Sequence, residues 1–428
     1  AKQAIRDAAR VLGLPFSSGD RVAKLMPPMI LGNTATISEC LSLDEENTSG
    51  YSKEFYSASE ELRKQYKNDE EAKQIIDIAL GLEGLRRQDG IHAAAIVISP
   101  DTITKFLPIQ QKGSNAEIVT QYEMHTVEQL GLLKMDFLGL RNLSIVDRTL
   151  ELIGSESLDI DNLKLDDEKT FKLFAEGKMT GVFQLESRVA QSTSRSLKPK
   201  RFEDIVALVA LIRPGPLGAG MHNEFADRAN NRKEIEYLHN DLESILNETY
   251  GVILYQEQVM QIAEKIAGFN LQEADNLRVA MGKKIPKVME EQRKKFTDGA
   301  VSNNYSEQFA IELFDQIAYF AGYGFNKSHS VPYALLAYQT AYLKANYPAE
   351  YIAACLTAVK RDKDRTAIFL SEARDMGVKV STPDVNLSSS DFTVNDNEIL
   401  FGLSAVRNVG DITAEKIVLE RESNGHFK

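Results

Sequence analysis

Apolar residues recur at the helical period from the start of the chain, where Ala4, Ile5, Ala8, Val11 and Leu12 fall on one face. The pattern predicts a helical region over residues 1–90, with a polar interruption at 44–53 and a long stretch from Glu54 to Leu85. Within that stretch Asp69 is placed to cap a second helix ahead of Ile75, Ile76, Ala79 and Leu82. The texture then changes. Residues 91–98 (IHAAAIVI) form a short β-prone run ended by Ser99-Pro100, and 130–140 (LGLLKMDFLGL) is a second apolar run with two charges inside it. Together they predict a small sheet domain.

From about residue 141 the helical period returns. It predicts helices over 203–212, ending at the Pro-Gly-Pro turn 214–216, and over 252–267, ending at Gly268. Asn270 followed three residues later by Glu273 has the spacing of a capping box. Further helices are expected at 286–300, 307–321, 331–346 and 348–359, then a short extended connector over 381–402 and a last helix at 411–422. There is no internal repeat and no low-complexity segment. The fold class this predicts is α+β and mostly helical.

Length and composition bound the picture further. At 428 residues and 43% hydrophobic, the chain can form two to four domains. Its two cysteines, Cys40 and Cys355, are too far apart in sequence for a metal motif or a disulfide framework, which points to a reducing, cytoplasmic setting. No apolar run approaches the roughly 18 to 20 residues that a membrane span requires, so no membrane partner is expected. The chain opens on Ala1 already inside a helical pattern and stops just after another, so both ends read as cut from something longer. A net charge of −12 argues against a nucleic-acid binder, but basic residues cluster locally at Lys198-Pro-Lys-Arg201, Arg278–Lys287 and Arg293-Lys-Lys295. The bland reading of each run is a solvated helix face.

Three segments could carry chemistry. In 132–138, strand geometry puts Lys134 and Asp136 on one face and Leu133, Met135 and Phe137 on the other. An ammonium and a carboxylate on an apolar strand either pair, as in a salt bridge at a sheet edge, or hold an ion, because burying them alone is costly. Residues 322–330 (Gly-Tyr-Gly-Phe-Asn-Lys-Ser-His-Ser) place small donors, a lysine and a histidine before a helix with Pro332 in its first turn. That is an anion site suited to triphosphate, or else a plain turn capped by Ser330. Residues 277–284 (LRVAMGKK) place Arg278 and Lys283 near a helix end, where they suit phosphate oxygens and complement the helix dipole equally well. Asp159 and Asp161 have the alternate spacing of a two-metal pair, but they lie in the acidic stretch 156–168 with no β-prone context and read as linker.

Taken in order, LLKMDFLGLRNL (132–143), GVFQLESR (181–188), ALVALIRPGPLGAGM (207–221), TYGVILYQEQVMQIA (249–263), LRVAMGKK (277–284), FAGYGFNKSHSVPYALLAYQTAYLKANYPAEY (320–351) and PDVNLSSSDFTV (383–394) resemble the bacterial C-family DNA polymerases. The expected branch is the replicative one, that of the polymerase III alpha subunits; the error-prone translesion branch is the alternative within the family. The resemblance implies a polymerase beta-like palm portion with helical thumb and fingers. It assigns 1–90 to the thumb, 91–140 to the second part of the palm, 141–380 to the fingers, and 381–428 to a connector and the start of a helix-hairpin-helix region. Asp136 matches the third catalytic, metal-binding carboxylate, and Lys134 a palm lysine near the reacting groups. Arg278, Lys283, Asn326, Lys327, Ser328 and His329 fall where fingers meet the incoming nucleotide. Lys198, Lys200 and Arg201 are DNA-binding candidates, as are Asn408 and Gly410, which resemble the turn of a helix-hairpin-helix unit with Asn408 in place of the usual glycine.

The activity implied is template-directed addition of dNTPs to a primer 3′-hydroxyl by two-metal phosphoryl transfer, with two Mg²⁺ ions held by hard carboxylate oxygens. The partners implied are primer–template DNA and dNTPs, with a sliding clamp, clamp loader and other replisome subunits reached through regions outside this chain. Three departures from the family pattern stand out. Nothing here matches its Asp-x-Asp strand, Val279 replaces a basic residue after Arg278, and 189–196 lacks a basic amphipathic helix. The first of these, with the negative net charge, makes a DNA-binding or structural module without catalysis the competing expectation for the chain by itself.

Overall fold

A computed structural model describes residues 1–28, 34–42, 55–85, 89–111, 113, 116–154, 158–283, 286–321 and 324–428, with side chains at all of these except 214, 282, 283, 286, 287 and 321. The polar interruption expected at 44–53 lies outside the described residues. The architecture is α+β and mostly helical, in two units, Ala1–Gly139 and Leu140–Lys428.

In the first unit, helices Lys2–Val11, Phe16–Lys24, Ile37–Leu41, Glu60–Asn68 and Glu70–Leu82 enclose a core that includes Ile5, Val22, Ile37, Leu62, Ile75 and Ile76. Asp69 caps the last of these helices as its position predicted, its carboxylate accepting from the Ala72 N–H at 3.1 Å. The two β-prone runs become β1 (Ala95–Ile98) and β4 (Leu133–Asp136), which pair antiparallel with Ala95 opposite Asp136 and Val97 opposite Lys134. A hairpin between them, β2 (Ile109–Gln111) with β3 (Ile118–Thr120), was not expected, because three-residue strands are too short to set a period. Leu107, Val127 and Leu132 form a small core under these strands, with Val97 packed on it.

In the second unit the helices for which bounds were expected appear near them, as Phe202–Leu211, Gln256–Ala267, Leu271–Lys283, Pro286–Ser302, Glu307–Ala321, Lys327–Asn346 and Pro348–Val359, whereas the 13-residue helices Arg141–Ile153 and Lys363–Asp375 had not been delimited. The Asn270–Glu273 capping box is present in both directions, at 2.9 and 3.0 Å. Gly268 ends its helix in the left-handed conformation, at φ 67°. The turn expected at 214–216 is itself a short helix, Pro214–Gly218, consistent with proline in a first turn. Helix Pro286–Ser302 crosses the end of Gln256–Ala267 so closely that a Cβ at Gly299 would lie 2.2 Å from the Ala267 carbonyl oxygen, which is why a helix interior accepts glycine there.

Three expectations shift. Residues 252–255 are extended rather than helical, because Tyr255 bridges to Phe325: the Leu254 carbonyl accepts from the Phe325 N–H at 3.2 Å and the Phe325 carbonyl from the Gln256 N–H at 2.9 Å. The helix expected from 331 starts at Lys327, which puts Pro332 inside it rather than in its first turn. The connector 381–402 carries strands, β6 (Thr393–Asn395) and β7 (Glu398–Leu400), which join β5 (Lys379–Val380) in a sheet of order β5–β7–β6. The β6–β7 turn is Asp396-Asn397, with φ 48° and 62°, the pair of residue types that tolerates positive φ in a two-residue hairpin.

Candidate functional site

Lys134 and Asp136 project together from β4, and they are paired. The Lys134 Nζ donates to Asp136 Oδ1 at 2.7 Å and Oδ2 at 2.9 Å, and this holds the Asp136 carboxyl below the usual carboxylate range. The side chain of Asp136 is 48% exposed and that of Lys134 18%. The other face of the ribbon, with Ile96, Ile98, Leu133 and Met135, is apolar and exposed. Among the described residues no three His, Cys, Asp or Glu side chains gather as a metal site. Asp159 and Asp161 do not form a strand pair: Asp159 caps a single 3₁₀ turn, its side chain accepting from the Asp161 N–H.

The loop before Lys327–Asn346 is tightly built, and Gly322 and Tyr323 alone of it lie outside the described residues. Asn326, not Ser330, is the cap, its Oδ1 accepting from the His329 N–H at 2.8 Å. The Lys327 N–H donates to both carboxylate oxygens of Glu257, at 3.0 and 2.9 Å, and the Ser328 N–H donates to Glu257 Oε1 at 3.4 Å. The Lys327 ammonium donates to Glu248 Oε2 at 2.7 Å. The helix N-terminus expected to cradle an anion is thus occupied by a carboxylate of the chain itself, and Lys327 is paired within the fold. Asn326, Ser328 and His329 stay exposed. The His329 ring lies 4.1 Å from Tyr333 and 5.5 Å from Phe325; Tyr333 meets Phe183 at 5.2 Å, and the Arg213 guanidinium sits 4.8 Å over Phe325.

Gln256, Glu257 and Gln258 were not singled out by sequence, yet each pins a different backbone. Gln256 Nε2 donates to the Gly324 carbonyl at 3.1 Å, and buried Gln258 accepts from the N–H groups of Leu254 and Tyr255 at 2.8 and 3.0 Å. The available signal was three successive polar residues opening an amphipathic helix.

Arg278 lies on helix Leu271–Lys283, its Nε donating to Asp275 Oδ1 at 2.8 Å; the side chain of Lys283 lies outside the described residues. Lys198 and Lys200 are exposed, whereas Arg201 donates to Asp204 and to the Glu248 carbonyl and stacks over Tyr250. Asn408 adopts φ 67°, the left-handed conformation that its replacement of glycine requires, and Gly410 caps helix Asp411–Asn424.

That helix is tied down by charge. Lys360 Nζ donates to Asp411 Oδ1 and Asp391 Oδ1, each at 2.6 Å, and Arg361 donates to Asp411 Oδ2 at 2.7 Å. Lys360 first, then Arg361, brings the Asp411 carboxyl down to about 2. Its folded value lies below the unfolded one, so its contribution to stability is present above pH 3.8 and is lost as pH falls through about 2. An NMR pH titration is expected to show the low midpoint in the wild type and a return toward 3.8 in Lys360→Met; equal midpoints would refute the tie.

Comparison with known proteins covers the whole chain. Residues 1–139 match the family described as bacterial DNA polymerase III alpha NTPase domain, 142–304 the bacterial DNA polymerase III alpha subunit finger domain, and 377–428 the helix-hairpin-helix motif. The DNA polymerase III subunit alpha of Thermus aquaticus is 44% identical over 434 residues, covering 100% of this chain and 34% of the relative. That of Escherichia coli K12 is 43% identical over 441 residues, covering 100% and 36%. That of Mycobacterium tuberculosis H37Rv is 41% identical over 435 residues, with the same coverage. The chain therefore spans about a third of the length of the curated relatives it matches.

Proposed function

Since the chain belongs to the bacterial DNA polymerase III alpha subunit family, we propose that it carries part of the active site for template-directed addition of dNTPs to a primer 3′-hydroxyl in DNA replication. The observation that carries this reading is an overall identity above 40% to the relatives over the full length of the chain. In this reading 1–90 is thumb, 91–140 the second part of the palm, 141–380 fingers, and 381–428 a connector entering a helix-hairpin-helix unit that meets DNA. The match of 142–304 to a finger domain supports the third of these. Sliding-clamp and clamp-loader contacts are proposed to lie in regions outside this chain.

A pair of Mg²⁺ ions needs several hard oxygen ligands around both cations. The described residues offer Asp136, with no three acidic, histidine or cysteine side chains together, and this set alone does not fit such a pair. Asp136 is accordingly proposed as one ligand of a centre completed elsewhere in the polymerase, and the chain by itself as able to bind rather than extend. No helix among the described residues is long and apolar enough to cross a membrane.

Nucleotide phosphates fall to the Ser328 hydroxyl, to the His329 imidazole and to Arg278, whose five-donor guanidinium can meet a phosphate while it keeps its contact with Asp275 on the same helix; the single Lys327 ammonium is paired with Glu248 across the fold, and the Lys327 and Ser328 amides with Glu257. Arg278→Ala or His329→Ala in the full-length polymerase is expected to lower kcat/KM for the nucleotide about 10- to 100-fold, the worth of one charge-assisted hydrogen bond, with primer–template affinity nearly unchanged. Steady-state kinetics with a DNA-binding titration checks this. A loss confined to DNA affinity would refute the assignment.

A further inference from the structure

Three of the orphan N–H groups at the start of helix Lys327–Asn346 are taken by side chains: those of Lys327 and Ser328 by Glu257, and that of His329 by Asn326. Asn326 is local, as a cap usually is. Glu257 comes from 70 residues earlier in the chain and is the second residue of another helix, Gln256–Ala267. It therefore links two helices. Its carboxylate also complements the positive end of the helix it reaches, a role an amide fills less well.

The two segments are joined along their length. Besides the Glu257 contacts, the backbones of Leu254 and Gln256 bond that of Phe325, and Gln256 Nε2 reaches the Gly324 carbonyl. The start of Lys327–Asn346 is thus bonded along segment 254–257, while Ser328 and His329 are exposed to solvent. A shift of that first turn would move both side chains together, and a misplacement of about 1 Å at a reacting centre is enough to cost about 100-fold.

We propose that Glu257 is the positioning residue of the nucleotide loop, fixing the first turn of Lys327–Asn346 so that Ser328 and His329 meet the incoming triphosphate in one place. It touches no substrate itself. The proposal rests on the reading that this loop binds nucleotide. The opposite possibility is distinct: a carboxylate seated on helix N–H groups could be a competing anion that nucleotide phosphate must displace, and removing its charge would then tighten binding.

The test uses the full-length polymerase with Glu257→Gln, which keeps shape and removes charge, beside Glu257→Ala and His329→Ala. Glu257→Gln is expected to raise the nucleotide KM about tenfold, with kcat within about threefold. DNA affinity and melting temperature should stay close to wild type, while amide exchange at 327–329 becomes faster. Glu257→Ala should move KM further in the same direction; should it fail to fold, the glutamine variant and its exchange rates carry the test. A lower KM in Glu257→Gln overturns positioning in favour of competition. An unchanged KM there, with His329→Ala still raising it, overturns the positioning role alone. If His329→Ala also leaves KM unchanged, the nucleotide-loop reading falls and this proposal with it.

Discussion

If Asp136 is a metal ligand as proposed, Asp136→Asn in the full-length polymerase is expected to lower primer extension by about 10³-fold, equivalent to ~4 kcal/mol of lost transition-state stabilisation, with primer–template affinity within about threefold of wild type. The substitution keeps the shape of the side chain and removes its charge. Two features make that charge available in the wild type. Lys134 keeps the Asp136 carboxyl below the usual carboxylate range, so it is ionised at neutral pH, and nearly half of the side chain remains accessible at the end of β4. The alternative is a purely structural ion pair. Pairs as exposed as this one contribute about 0–1 kcal/mol to stability, so in that case Asp136→Asn would change little in either melting temperature or rate. Single-turnover extension at saturating Mg²⁺, run beside a DNA-binding titration and a thermal melt, separates the two. Extension at near wild-type rate would end the metal-ligand assignment.

A second large effect is expected far from any chemistry. Lys344 is buried in the second unit with its side chain 1% exposed, and its Nζ donates at 2.7 Å to each of three acceptors, the carbonyls of Lys178 and Thr180 and Glu372 Oε1. Burial pushes its amine below the ordinary lysine range, against the pull of Glu372. Lys344→Met leaves two carbonyls and a largely buried carboxylate without their donor, and is expected to cost about 3–5 kcal/mol, or roughly 10 °C in Tm. Glu372→Gln should cost less, because Lys344 keeps both carbonyls and gains a neutral acceptor in place of the charged one. Thermal and urea unfolding of both single variants and the double variant gives the coupling. A Lys344→Met variant within about 1 kcal/mol of wild type would show that water reaches the site and that the tie is unimportant. This lysine joins the turn at 178–180 to helices Lys327–Asn346 and Lys363–Asp375, so it ties the helix that opens at Lys327 to its neighbours.

The polar side chains divide by how far their partners lie along the chain. Asp69 and the Asn270–Glu273 box were legible because a cap and its N–H groups are three residues apart. The Lys134–Asp136 pairing was legible as one of two alternatives, since residues two apart on a strand share a face. Asp396-Asn397 carried a readable hairpin signal that the extended reading of 381–402 passed over. Glu257 and Glu248 were not legible in their roles: Glu257 meets Lys327 across 70 residues and Glu248 across 79, and nothing periodic records that.

What the sequence determined by itself is the mostly helical α+β class, the position of most of the long helices from 202 to 359 and of the last one, the family, and the choice of Asp136, Arg278 and His329 as candidates. These follow from local periodicity, caps and extended motif identity, all of which reside in neighbouring residues. Only the tertiary structure decided that 252–255 is extended, that the helix behind the loop opens at Lys327, and that its N-terminus and its lysine are already satisfied by two glutamates. The reason is physical. A backbone N–H or an ammonium takes whichever acceptor folding brings within about 3 Å, and the chain order does not say which carboxylate that will be.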